Sequence, residues 1–376
     1  MYIKLNKSNN KSISLSIYNN ITLINEVRYL PKLKCPTVIE YFDISNFIDE
    51  TSLMINEINY STISYSYICC DNNKNSIQEN CVQCSNLIPS SIIINLDSIK
   101  KRTFEVYYLT GNIIWTSSYN IVLEETTLSI ESWFNISNKS GLNIEDASIK
   151  CIAGEVNLSS PRPIPYSEGL IYNKQADLST APQDIADYSV YTLENKYDLP
   201  NNTLKRIPNF NRANVVYNKL YDFGYYLTVA DIKITFNNTA ENNLGIVLPA
   251  GSINTYANYN NKLEFLGGNS ISNIGINRPV SFVIGKAFNV TVERKILANN
   301  NYKEYSFKEV SYVITNTSDE IIKVSISEPI FSPWQIDYSS DRYEIDSNGN
   351  PTFTFEMPAN STKDILFTYK YECKNC

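Results

Sequence analysis

The most reactive side chains in this sequence are eight cysteines, and their spacing allows two kinds of chemistry. Cys81-Val-Gln-Cys84 and Cys373-Lys-Asn-Cys376 are CxxC pairs, in which two thiolates can share a zinc ion or close a disulfide. The two pairs lie at opposite ends of the chain, so nothing local brings them together. The denser local candidate is Cys69, Cys70, Cys81 and Cys84, which suits one structural zinc, two disulfides or plain buried thiols. Redox catalysis is not expected, because a reactive CxxC opens a helix after a strand and neither pair has that setting.

The absence of histidine decides more than the cysteines do. It excludes Ser-His-Asp and Cys-His nucleophile systems, HExxH sites and every His-ligated metal. An enzyme built from this chain would need paired carboxylates, a Lys/Ser or Lys/Tyr arrangement, or an oxygen-ligated metal. Glu124-Glu125 and Glu145-Asp146 are adjacent acids, but neighbours in a strand point to opposite faces. Asp346-Ser347-Asn348-Gly349-Asn350 has the look of a calcium loop without the glutamate needed at its twelfth position, and reads as a turn. Gly267-Gly268 lacks the GK[ST] and the following helix of a phosphate loop. Twelve Asn-x-Ser/Thr triplets occur, close to chance in so Asn- and Ser-rich a chain, and do not argue for secretion.

The elements that must position these residues are strands. The chain has 376 residues, enough for two or three domains, with 43 % hydrophobic and 12 % aromatic side chains, so it can bury a sizeable core. Tyr, Phe, Ile and Thr suit a pleated half-buried surface, and the abundant Asn and Ser supply turns. Short alternating runs recur along the chain, and residues 12–28 predict a hairpin turning at Tyr18-Asn19-Asn20. Ile365, Phe367 and Tyr369 alternate with Leu366, Thr368 and Lys370 in the clearest run. Residues 44–58 fit a weak helical period and an extended reading equally well. Gly111, Gly141, Gly154, Gly245, Gly251, Gly267, Gly268 and Gly285 are read as lying between strands, and Leu248-Pro249-Ala250-Gly251 as a turn with a left-handed glycine. Trp115, Trp133 and Trp334 are read as core anchors. No repeat of 20 to 50 residues is evident.

This pattern predicts an all-β chain of two or more antiparallel β-sandwich-like modules with little helix. The expected modules are 1–102, with a cysteine-bearing loop at 69–84; 103–208, with a proline-broken excursion at 158–186; and 209–376. A formal net charge of -7 argues against a nucleic-acid partner or an anionic-membrane surface. No apolar run is long enough to span a membrane, and the N-terminus has no signal-peptide core, so a cytoplasmic or particle-associated location is expected.

A series of motifs also resembles a known family. It begins at Thr110-Gly111-Asn112-Ile113-Ile114-Trp115 with Tyr119 and continues through Trp133-Phe134-Asn135-Ile136-Ser137-Asn138 and Ala153-Gly154-Glu155-Val156-Asn157. Asp187 to Leu193, Leu244 to Ile253, Phe265 to Ile271 and Ile284 to Val290 follow, closing with Thr315-Asn316, Glu328 and Trp334. In this order, over about residues 91 to 372, they resemble a widespread domain family of unknown function. It occupies the C-terminal part of mucoidy-inhibitor-A-like proteins and many bacterial, archaeal and viral chains. The resemblance implies a β-rich architecture without an established enzymatic activity. The Cys69 to Cys84 insert and the lack of a signal sequence depart from it.

The function expected from these features is structural: a non-catalytic β-protein that binds protein partners or itself, with no cofactor beyond a structural zinc. A component of a virus particle or surface layer fits that expectation. The alternative is a carboxylate-dependent hydrolase acting on a glycan or peptide.

Overall fold

A computed structural model describes residues 1–31, 36–56, 59–69, 87–98, 102–153, 184–185, 188–224, 228–302, 305–330 and 333–372. For Cys69, Ser98, Asp184, Ile185 and Tyr188 it describes the backbone alone. The first strands are β1 (Tyr2–Leu5), β2 (Asn10–Ile17), β3 (Thr22–Tyr29), β4 (Thr37–Phe42), β5 (Met54–Ile55), β6 (Asn59–Cys69), β7 (Leu87–Ser98) and β8 (Thr103–Thr110). They are followed by β9 (Ile113–Leu123), β10 (Thr127–Asn138), β11 (Ile144–Ala153), β12 (Asp184–Ile185), β13 (Tyr188–Thr192), β14 (Tyr197–Leu199), β15 (Thr203–Val216), β16 (Asn218–Phe223) and β17 (Val229–Asn237). The last are β18 (Gly251–Tyr259), β19 (Lys262–Ile271), β20 (Pro279–Asn301), β21 (Tyr305–Asn316), β22 (Ile322–Ser327), β23 (Trp334–Ser339), β24 (Glu344–Ile345), β25 (Pro351–Met357) and β26 (Ser361–Glu372). Strands hold 72 % of the described residues, and the only helical turns among them are three short 3-10 segments, so the fold is all-β. None of these is long and apolar enough to cross a membrane.

The residues group into two compact units. One comprises Met1–Ser118, Ser132–Phe210 and Val247–Gly251; the other comprises Tyr119–Glu131, Asn211–Ile246 and Ser252–Cys376. In the first, a sheet ordered β12-β13-β11-β2-β3-β8-β5, with β14 on β11, shares a core with a four-stranded sheet ordered β1-β4-β7-β6. The hairpin at 18–21 forms as expected, closed by the Tyr18 N–H donating to the Ile21 carbonyl at 2.9 Å. Strict alternation makes the sandwich. Phe104, Val106 and Tyr108 of β8 face inward with Leu15 and Ile24, and meet Ile39, Tyr41 and Ile94 of the other sheet. The Tyr41 and Phe104 rings, one from each sheet, sit 5.9 Å apart. Each such side chain contributes about 1.5–3 kcal/mol through burial.

The second unit contains a nine-stranded sheet ordered β23-β26-β21-β20-β17-β16-β22-β25-β24. Phe353 of β25 and Phe367 of β26 come from opposite parts of that order, yet their rings are 5.1 Å apart, so the sheet folds over onto itself around one core. Ile365, Phe367 and Tyr369 point into it, as the alternation predicts. The alternation of the sequence breaks into separate runs at 279–284 and 288–296, and the structure joins them in one strand of 23 residues. Its first part pairs with β17 and its second with β21, and the switch is a bulge between Ala287 and Thr291.

The two units repeat one pairing scheme. In the first, β2 runs parallel to β11 and antiparallel to β3, β3 pairs β8, β11 pairs β14, and β15 neighbours β10. In the second, β16 runs parallel to β22 and antiparallel to β17, β17 pairs β20, β22 pairs β25, and β26 pairs β21. Residue types echo the scheme. Asn138-Lys139-Ser140 after β10 matches Asn316-Thr317-Ser318 after β21. Pro200-Asn201-Asn202-Thr203 before β15 matches Pro358-Ala359-Asn360-Ser361 before β26. Thr203 and Ser361 each donate a hydroxyl to the preceding proline carbonyl at 2.6 Å. The repeat is far longer than the 20-to-50-residue periods of solenoids and propellers, and few of its positions are identical.

Several local readings change. Within 44–58, which fits a helical or an extended reading equally, the described residues 44–56 hold a 3-10 turn at Glu50–Ser52 and the short β5. Residues 245–247, a short apolar run that reads as a strand, form none. The polar, Asn-rich segment 71–90 reads as an exposed loop, but its last four residues, Leu87–Ser90, open β7. Gly267, Gly268 and Gly285 lie inside strands. The excursion at 158–186 lies outside the described residues except for Asp184 and Ile185.

Candidate functional site

Of the four proposed zinc ligands, Cys70, Cys81 and Cys84 lie outside the described residues, and Cys69 is described only by its backbone at the end of β6. Cys35, Cys373 and Cys376 also lie outside them. Cys151 faces the core from β11, where burial pushes its thiol well above the usual range and leaves it a small hydrophobe. Among the described residues, no group of three or more Cys, Asp or Glu side chains could hold a metal ion.

The adjacent acids settle into turns and bulges. Glu124 and Glu125 sit in the turn between β9 and β10 rather than in a strand. Glu145 and Asp146 are both exposed because β11 bulges between Ile144 and Ala147, with Asp146 at φ 50° and ion-paired to Lys196 at 2.6 Å. The Asp346 carboxylate accepts from the Asn348 and Asn350 N–H groups at 2.8 and 2.9 Å, so the segment is the turn expected. Gly251 is not left-handed; a Cβ there would stand 2.4 Å from the Ser117 carbonyl oxygen, so close backbone approach requires glycine. Trp115 is buried with its indole N–H on the Ile152 carbonyl, and Trp334 packs half-buried on the second core and donates to the Gly349 carbonyl.

Two buried polar clusters went unread in the sequence. In the first unit, Glu26 and Arg28 stand two apart on the inward face of β3, both almost fully buried. Their ion pair measures 2.8 Å, and the Tyr41 hydroxyl donates to the same carboxylate oxygen. The guanidinium lies 3.6 Å over the Tyr41 ring and donates to the Leu5 and Phe42 carbonyls. Burial, with Glu26 beside it, holds the Tyr41 hydroxyl protonated far above its ordinary range.

In the second unit, Glu328 takes two bonds from Arg294, at 2.5 and 2.9 Å, and one each from the hydroxyls of Tyr312 and Tyr369, at 2.5 and 2.9 Å. Burial and the adjacent carboxylate raise both tyrosines well above their ordinary value, and the bond to Glu328 raises Arg294. Each cluster surrounds a buried carboxylate with hydrogen-bond donors, which offsets the cost of taking it out of water. The available signal was the opposite-charge pair at i and i+2 on β3. The partners in the second cluster are 34 residues apart.

Two shallow clefts accompany these elements. One, of about 200 Å³, is lined by Lys7, Asn10, Lys11, Glu26, Asn143 and Asp146. The other, of about 270 Å³, is lined by Val216, Asn218, Thr235, Thr239, Asn242 and Pro279.

The most unusual surface lies on the hairpin of β18 and β19. Asn260 and Asn261, at φ 51° and 60°, form a two-residue turn of the type whose twist suits a hairpin. Tyr256 and Phe265 then stand opposite one another, with rings 5.7 Å apart. β19 ends the order β15-β10-β9-β18-β19 and is exposed on both faces. Leu263 and Phe265 are each 60 % exposed and Tyr259 is 68 % exposed. The free length is bounded at Gly267, where a Cβ would stand 1.9 Å from the Ile284 carbonyl oxygen of β20. No protein-family model matches the chain, and no curated protein matches it.

Proposed function

We propose that this protein is non-catalytic and works through its outer surfaces, binding protein partners or copies of itself as part of a larger assembly. The observation that carries this reading is the β18–β19 hairpin, which holds Tyr259, Leu263, Phe265 and Leu266 in solvent along a sheet edge. Apolar side chains grouped on a strand edge are a costly exposure that a protein contact removes. The engagement of both buried carboxylates by arginine and tyrosine agrees with it, since such acids brace a scaffold. The motif series that resembles a β-rich domain family without an established enzymatic activity supports the same reading.

Native mass measurement of the protein taken from its own source tests this. The reading expects a complex well above the 42.9 kDa of the single chain. A bare single chain, without bound protein, overturns it.

A further inference from the structure

We infer that β19 is a self-pairing edge, joining a second copy of this chain across a two-fold axis at Leu263; this rests on the proposed surface function and names its partner. In a two-residue hairpin the residues flanking the turn exchange backbone hydrogen bonds. Lys262, Glu264 and Leu266 therefore direct their N–H and C=O groups toward β18, while Leu263 and Phe265 direct theirs outward. Among the described residues, β18 is the only strand paired with β19, so no strand is paired along that outward edge. Such an edge accepts another strand.

The sequence of the edge selects the occupant. An antiparallel pair centred on Leu263 sets Leu263 against Leu263 of the second copy. Lys262 then faces Glu264 of that copy, and Glu264 faces its Lys262, at the closely spaced non-hydrogen-bonded positions. Both charge pairs are opposite in sign. Moving the axis to Phe265 sets Glu264 against Leu266 and draws in Gly267, which already lies against Ile284. The Leu263 register is thus favoured by charge and by the backbone at Gly267. The contact is isologous and closes as a dimer rather than a fibre. On the outer face, Leu263 and Phe265 of each copy cover one another's apolar surface.

Light scattering of the full chain across a concentration series, with three variants, tests the pairing. The wild type forms a dimer. Lys262→Glu and Glu264→Lys each place like charges opposite one another twice and weaken dimerisation by about tenfold or more. The double variant Lys262→Glu/Glu264→Lys restores both pairs and with them the dimer. All four side chains involved are exposed, and circular dichroism verifies folding. A monomer at every concentration, single variants that dimerise like the wild type, or a double variant that does not recover overturns the self-pairing. A monomer that nevertheless comes from its source in a complex with a different protein overturns only this inference and leaves the broader surface function standing.

Discussion

Glu328 is bound by four donors from Arg294, Tyr312 and Tyr369, and those donors have no comparable acceptor once it is removed. Glu328→Ala is expected to lower stability by about 3–5 kcal/mol in denaturant titration, because it strands a half-buried guanidinium. Alkaline pH tests the same cluster. Burial first, and Glu328 second, raise Tyr312 and Tyr369 above their ordinary value of 10.0. The native protein therefore keeps protons that the unfolded chain releases. Their contribution is complete below about pH 10 and is lost as pH rises toward the folded values. Stability should fall above pH 10, and Tyr312→Phe should reduce that slope; an unchanged slope contradicts the assignment. Cys151 gives a third test. Its alkylation, followed by peptide mass spectrometry, is expected only on unfolding.

At the scale of elements, two asparagines tie strand ends to neighbouring turns. Asn138 donates to the Leu142 and Leu199 carbonyls and accepts from Ser140, and Asn316 donates to the Glu320 and Pro358 carbonyls and accepts from Ser318. Both belong to Asn-x-Ser triplets, and being buried they serve as clasps. Asn316→Ala leaves two carbonyls and an N–H without their partner and should cost roughly 2–3 kcal/mol. An effect confined to a few tenths of a kcal/mol in thermal unfolding would contradict that role. The strands were largely legible, because alternation at β8, β10 and β26 matches their burial. The polar clusters were not. In β3, Leu23 and Val27 compete with Ile24 for the inside, and only the partner sheet decides that Glu26 and Arg28 go in. Continuity of β20 was also hidden, since Gly285 reads as lying between strands, whereas register shifts at Val283–Gly285 and Ala287–Thr291 carry the strand through.

At the scale of the whole molecule, the chain is all-β, and two compact units share one strand-pairing scheme. Tyrosines brace the buried acids of this all-β scaffold, Tyr41 on Glu26 in one unit and Tyr312 on Glu328 in the other. The same scaffold leaves the β19 edge in solvent. Amide hydrogen exchange along β19 tests whether that edge is where the protein meets its partner, most simply by comparing dilute and concentrated protein. The Leu263 and Phe265 amides are expected to exchange quickly when dilute and to become protected on concentration, with the β8 amides unchanged. Equal exchange at both concentrations, or protection located elsewhere on the surface, would contradict it.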